Sequence, residues 1–212
     1  SPEGLLSGLF ARRATVGHQV TTFHPMPETL IVVHTQGCTY HFEPSQQNSE
    51  SIYGGPLEPS LIGMAAGPAP LHHIATLSAM QLPMLGSTSL PLLYGFQYSG
   101  CEMRYQYSAQ AVDVQSLDPS ESTEDWPYED YPEQLPRLAL KLAKTQAETW
   151  QEFSARYPNL AAQQPAELVA IIPPALTIGQ SLWGEDGDAE EVCVVCECEL
   201  SQHSVHTYNI CS

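Results

Sequence analysis

The chain has 212 residues, 42% of them hydrophobic, and sets 24 carboxylates against 7 Lys and Arg, for a formal net charge of −17. A field of that sign repels phosphate backbones and anionic lipid, so nucleic acid and membrane surfaces are excluded as expected partners. The length suits one large domain or two small ones, no apolar run reads as a membrane span, and 18 prolines against 14 glycines point to short elements joined by turns.

In Ser1 to Ala14, the apolar Leu5, Leu6, Leu9 and Phe10 precede Arg12 and Arg13. That order is the reverse of a secretory leader, and a short amphipathic helix against the body is expected. Thr29 to Glu43 reads as a hairpin turning at Gln36-Gly37. In that register Leu30, Val32 and His34 share a face with Thr39 and His41, and His34 lies diagonal to His41. With His24 upstream, these histidines are candidate ligands for a divalent metal ion. A metal-binding protein or metal-assisted hydrolase using His24, His34 and His41 is therefore the alternative functional expectation. Half-buried strand histidines with ordinary hydrogen bonds fit the same pattern.

Pro44 to Pro91 is less regular. A polar loop leads to a sharp turn at Gly54-Gly55-Pro56, followed by short strands at Leu61 to Met64 and His72 to Met80 and a buried connection from Leu82 to Leu92. The glycines form no phosphate cradle, since both lysines, Lys141 and Lys144, lie elsewhere. Leu92 to Tyr107 predicts a second hairpin around Ser99-Gly100, pairing Tyr98 with Cys101, Phe96 with Met103, Tyr94 with Tyr105 and Leu92 with Tyr107 on one oily face. Glu102, Arg104 and Gln106 fall on the opposite face, and Cys101, at the tip, is the thiol expected to be most exposed.

Ala111 to Leu117 adds a strand. Asp118 to Glu133 then gathers seven carboxylates around Trp126, Tyr128 and Tyr131, with three prolines that bar a continuous helix. Aromatic anchors among acids suit a basic surface, which makes Glu121, Glu124, Asp125, Trp126, Tyr128, Glu129, Asp130 and Tyr131 the candidate partner-binding residues. The same rings also suit a crossover tacked to the body with its acids solvated.

Gln134 to Tyr157 predicts one long helix. Leu135, Leu138, Leu142, Thr149 and Phe153 make a stripe that Leu140, Ala143, Ala147 and Trp150 widen, with Pro136 in the first turn and Pro158 past the end. Glu133–Arg137, Lys144–Glu148 and Glu152–Arg156 have helical spacing.

Glu167 to Ile172 reads as a buried strand, and the five carboxylates of 184–191 read as a solvated loop, because the calcium-loop pattern is missing. Two strands close the chain, Glu191 to Leu200 and Ser204 to Cys211, turning at Gln202-His203. Val192, Val194, Cys196, Cys198 and Leu200 share one face and Cys193 takes the other, so the C-x-x-C pair points apart and makes no zinc knuckle. On Cys193's side, Glu197 and Glu199 are expected to meet Tyr208 and His206. Thiols used as small hydrophobes suit a reducing compartment, hence a cytoplasmic location.

No nucleophile elbow, H-E-x-x-H, dinucleotide fingerprint or kinase set occurs. The expected architecture is a single α+β domain over residues 1–212, a mainly antiparallel sheet built from hairpins with the long helix packed on it. The expected function is that of a non-enzymatic acidic interaction protein of bacterial type, with no cofactor, binding a basic protein partner. An immunity protein or inhibitor that neutralises a toxic enzyme is its concrete form.

Overall fold

A computed structural model describes residues 29–63, 71–96, 101–119, 134–157, 160, 165–172 and 192–211. Turn chemistry sets its first hairpin. Gln36 and Gly37 take left-handed φ values of 50° and 71°, as a two-residue turn matched to strand twist requires. They join β1 (Ile31–Thr35) to β2 (Cys38–Ser45), with Thr35 opposite Cys38 and His34 opposite Thr39, the register read from the sequence. β2 overhangs β1, and Pro44 sits in the overhang, where no β1 neighbour needs its missing N–H.

The remaining strands are β3 (Ser51–Tyr53), β4 (Ser60–Gly63), β5 (His72–Leu77), β6 (Leu90–Tyr94), β7 (Cys101–Tyr107), β8 (Ala111–Pro119), β9 (Leu138–Ala147), β10 (Leu168–Ile172), β11 (Val192–Glu199) and β12 (Ser204–Cys211). Among the described residues one α-helix, α1 (Trp150–Ser154), interrupts them. The strands form a single twelve-stranded sheet in the order β4-β8-β7-β12-β11-β10-β1-β2-β9-β3-β5-β6, antiparallel except where β4 runs parallel to β8. β5, β8, β10, β11 and β12 arise where the sequence placed strands.

The sheet rolls over on itself. Residues from its two halves meet in one core that includes Tyr53, Leu92, Met103, Tyr105, Leu168 and Cys196. Burying a large side chain there contributes about 1.5–3 kcal/mol, enough for closure of the sheet to override local propensity. β7 shows the alternation clearly: Cys101, Met103, Tyr105 and Tyr107 are buried while Glu102, Arg104 and Gln106 are exposed.

The hairpin expected around Ser99-Gly100 does not pair. β7 is hydrogen-bonded to β8 and β12, whereas β6 pairs with β5 and faces β7 across the core. Both edges of β7 are thereby satisfied within the sheet, and β6, buried at all five positions, becomes an inner cover. Cys101 is accordingly not exposed. It is 1% accessible, and burial pushes its thiol up to about 11.

The α+β expectation is overturned. Leu138–Ala147 is strand, paired with β2 and β3, and the only helical part of the supposed long helix is the five-residue α1. Leu138, Leu140 and Leu142 satisfy period two as well as i, i+4, and pairing along both edges decides between them. Glu133 of the expected Glu133–Arg137 pair lies outside the described residues. The other two expected helical pairs are not formed: Glu148 meets Arg156 at 2.7 Å instead of Lys144, and Lys141 meets Glu43 at 3.6 Å. Glu152 instead closes a capping box, accepting from the Thr149 N–H at 2.8 Å while the Thr149 hydroxyl accepts from the Glu152 N–H at 3.3 Å.

α1 covers the outer face of the sheet's middle. Phe153 and Leu160 meet Val32, Val169, Ile171 and Val195 there, with Trp150, Tyr157 and Cys193 at the margin. Cys193 thus lies on the opposite face from Cys196 and Cys198, which are in the main core. Among the described residues no helix is long and apolar enough to cross a membrane.

Candidate functional site

Strand register carries one row of side chains across the outer face: Ser116, Arg104, His206, Glu197, Val169, His34 and Thr39, from β8 to β2. α1 covers the apolar middle of the row, leaving a polar cluster on either side.

The first cluster spans β7, β12 and β11. His206 Nε2 lies 2.8 Å from Glu102 Oε1, and its Nδ1 lies 3.7 Å from Glu197 Oε2. The Tyr208 hydroxyl donates to Glu197 Oε1 at 2.8 Å, and Arg104 reaches Glu102 at 3.2 Å. The His206 ring is the largest influence lowering the Glu197 pKa; burial opposes it, and the Tyr208 hydroxyl and Arg104 add to it. Glu199 faces Ser204, not His206, so the expected register is off by two. The tip is longer than a two-residue turn, because Leu200–Gln202 forms a 3₁₀ turn and His203 takes a left-handed φ of 49°. Glu102 and Asp118 stand directly opposite each other on β7 and β8, an arrangement of like charges that the Arg104 guanidinium on Glu102 offsets.

This cluster lies towards a particular end of the sheet. β8 ends at Pro119 opposite Cys101, β12 ends at Cys211 opposite Val192, and β10 ends at Ile172 opposite Val194. Segments 120–133 and 173–191 therefore leave the sheet from the same end. Together they hold eleven of the 24 carboxylates and none of the 7 Lys and Arg. Glu121, Glu124, Asp125, Trp126, Tyr128, Glu129, Asp130 and Tyr131 themselves lie outside the described residues, as do His24, the expected N-terminal helix and the acidic run 184–191.

The second cluster joins the first hairpin to α1. The Thr39 hydroxyl donates to Glu148, which also accepts from Arg156 at 2.7 Å. With that proton committed, the Thr39 oxygen accepts from His34 Nδ1–H at 3.1 Å, which assigns the His34 tautomer. The ring stacks on Phe153 at 4.7 Å between centroids. His41 is diagonal to His34, as its register requires, and its Nε2 is buried with no hydrogen-bond partner among the described residues. Among the described residues, no three His, Cys, Asp or Glu side chains come together to hold a metal ion.

Burial lowers the pKa of His34, His41 and His73 below 6.5. A histidine with a depressed folded pKa binds fewer protons folded than unfolded, so the stability it contributes is complete above about 6.5 and is lost as pH falls. Thermal scans from about pH 8 to about pH 5 are expected to show a constant melting temperature at the upper end and a steady fall below about 6.5. A flat profile to the acid limit would contradict the burial of these rings.

No protein-family model, curated protein or solved structure matches the chain. Function must be argued from the surface itself. Sequence reasoning found Glu197, Tyr208 and His206 but missed Glu102, Arg104 and Asp118, which only sheet order brings alongside them. Period-two alternation already placed Glu102 and Arg104 on the water-facing side; their neighbour β12 follows almost a hundred residues later.

Proposed function

We propose that this protein is a non-enzymatic binding protein that engages a basic protein partner through the acidic end of its sheet. The observation that carries this reading is the exit of both acid-rich, base-free segments at the end where Glu102 opposes Asp118. Glu121, Glu124, Asp125, Glu129 and Asp130 supply the steering field in this reading, and Trp126, Tyr128 and Tyr131 supply rings to bury. Glu102 already meets Arg104 within the sheet, and Asp118 opposite it adds a further carboxylate that becomes favourable beside a partner's Lys or Arg. An immunity protein or inhibitor of a toxic basic enzyme is the specific form, acting in the cytoplasm, where the free buried thiols stay reduced.

The test starts with affinity capture from the native host at low salt. Association of the captured protein is then measured with wild type, with Glu124→Lys/Asp125→Lys/Glu129→Lys/Asp130→Lys, and with Glu102→Lys/Asp118→Lys. Association is expected to slow by about tenfold or more between about 0.05 M and about 0.5 M salt, and each charge-reversed variant to slow it comparably at low salt. Binding indifferent to both salt and reversal would remove the reading.

A further inference from the structure

A cleft of about 410 Å³ opens at the seam where the rolled sheet's two ends approach each other. Its lining comes from the approach to β4 (Glu58), from the loop before β3 (Ser49, Glu50), from β5 (Thr76), from the start of β6 (Pro91) and from the residue ahead of β9 (Arg137). The volume falls within the range of about 300–1,000 Å³ usual for small-molecule sites.

Arg137 is placed, not merely present. Gly54 and Gly55 turn with left-handed φ of 59° and 74°, and the Gly55 N–H donates to the Leu135 carbonyl at 2.8 Å. A Cβ on Gly55 would stand 3.1–3.4 Å from Cβ, Cγ and Cδ of Arg137, so the arginine stem lies across the bare glycine. Among the described residues Arg137 makes no ion pair, whereas Arg104, Lys141 and Arg156 each do. Thr76 is also oriented. His73 Nδ1 lies 3.2 Å from the Gly55 carbonyl and its Nε2 lies 2.8 Å from Thr76 Oγ1. The carbonyl can only accept, so Nδ1 carries the proton, and the Thr76 hydroxyl donates to Nε2, leaving its oxygen lone pairs available.

One guanidinium, two carboxylates and several hydroxyls line the same cleft, a set complementary to a molecule carrying both charges. We propose that this cleft binds a small zwitterion of the α-amino-acid class, with the ligand's carboxylate on Arg137 and its ammonium on Glu50 or Glu58. Arginine takes a carboxylate through two parallel N–H···O bonds, and a carboxylate takes an ammonium as a charged hydrogen bond. A phosphorylated or other multiply anionic ligand is opposed by the two glutamates and by the charge of −17. A sugar would want an aromatic face to stack on, and the lining contains no aromatic ring.

Titration calorimetry of the full chain with each of the twenty standard amino acids tests the proposal, with inorganic phosphate and glucose as comparison ligands. At least one amino acid is expected to bind saturably, and its N-acetyl and methyl-ester derivatives to bind at least tenfold more weakly, since each removes one charge. Arg137→Gln is expected to weaken that ligand at least tenfold with an unchanged circular dichroism spectrum, and Arg137→Lys to weaken it by less. If Arg137→Gln alters the fold, Glu50→Gln/Glu58→Gln replaces it, with the same loss expected. Binding of no amino acid, binding of phosphate or glucose in their place, or amino-acid affinity indifferent to these substitutions would overturn the proposal.

Discussion

Tyr105→Phe is expected to lower the free energy of unfolding by about 3 kcal/mol, a large effect for the removal of one oxygen atom. Tyr105 is 1% exposed, and its hydroxyl donates to the Pro91 carbonyl at 2.9 Å while accepting from the Leu93 N–H at 3.2 Å. Both backbone groups belong to β6, which pairs with β5 on one side and ends the sheet order on the other. Leu93 N–H and Pro91 C=O lie two residues apart along the strand and so point the same way, as ladder groups would towards a further strand. No such strand occurs among the described residues, and β6 is buried at all five positions. A single phenol from β7 does the work of the missing neighbour. Removing it leaves one donor and one acceptor buried without partners, at about 1–3 kcal/mol each. Urea unfolding measures the loss. Tyr94→Phe is the comparison: its hydroxyl accepts one bond, from the Cys101 N–H at 3.1 Å, so about half the effect is expected. Equal losses for the two variants would mean that the phenol oxygen is not acting as a strand edge.

That contact also marks where the sequence stops being legible. The alternation of Cys101, Met103, Tyr105 and Tyr107 against Glu102, Arg104 and Gln106 is local information, and it correctly separates the core face from the wet one. Which strand lies alongside is not local. Ser99-Gly100 has the chemistry of a tight turn, but β7 pairs with β8 and with β12, a hundred residues away, because that arrangement places β6 over the core instead of beside it. The same limit explains the lost helix. Leu138, Leu140 and Leu142 fit both periods, good helix formers such as Ala139, Lys141 and Ala143 tip the local balance one way, and eight pairs with β2 tip the fold the other. Once that segment is strand, Arg137 is no longer a base on a helix surface. It becomes a side chain laid over Gly55 into a cleft, a role its spacing could not announce. The first hairpin was readable in full, since Gln36-Gly37 sits between strands only five and eight residues long and the partners are next to each other in the chain. The two clusters divide on the same principle: His34, Thr39 and His41 are hairpin neighbours, while Glu102 meets His206 only through the completed sheet.

Gly54→Ala and Gly37→Ala form a pair in which the same chemical change should have very different consequences. Both glycines have left-handed φ, 59° and 71°, so an alanine costs about 1–2 kcal/mol of backbone strain at either position. At Gly37 nothing lies within 4 Å of the added methyl, and the strain is the whole effect. At Gly54 the methyl would meet the Pro136 carbonyl oxygen at 2.2 Å and the Leu135 carbonyl oxygen at 2.9 Å. Those are backbone atoms, and neither can rotate away. The β3 turn must instead separate from the segment leading into β9, straining the Gly54 N–H bond to the Ile74 carbonyl and the Gly55 N–H bond to the Leu135 carbonyl, both 2.8 Å. Overpacking of a close-packed contact adds about 1–3 kcal/mol and each weakened buried hydrogen bond about 1 kcal/mol more, so Gly54→Ala should cost about 4 kcal/mol against about 1 kcal/mol for Gly37→Ala. Chemical denaturation of the two variants side by side measures the difference. A Gly54→Ala protein no less stable than Gly37→Ala would mean that the turn does not press on Leu135 and Pro136, and Arg137 would then lose the glycine bed that aims it into the cleft.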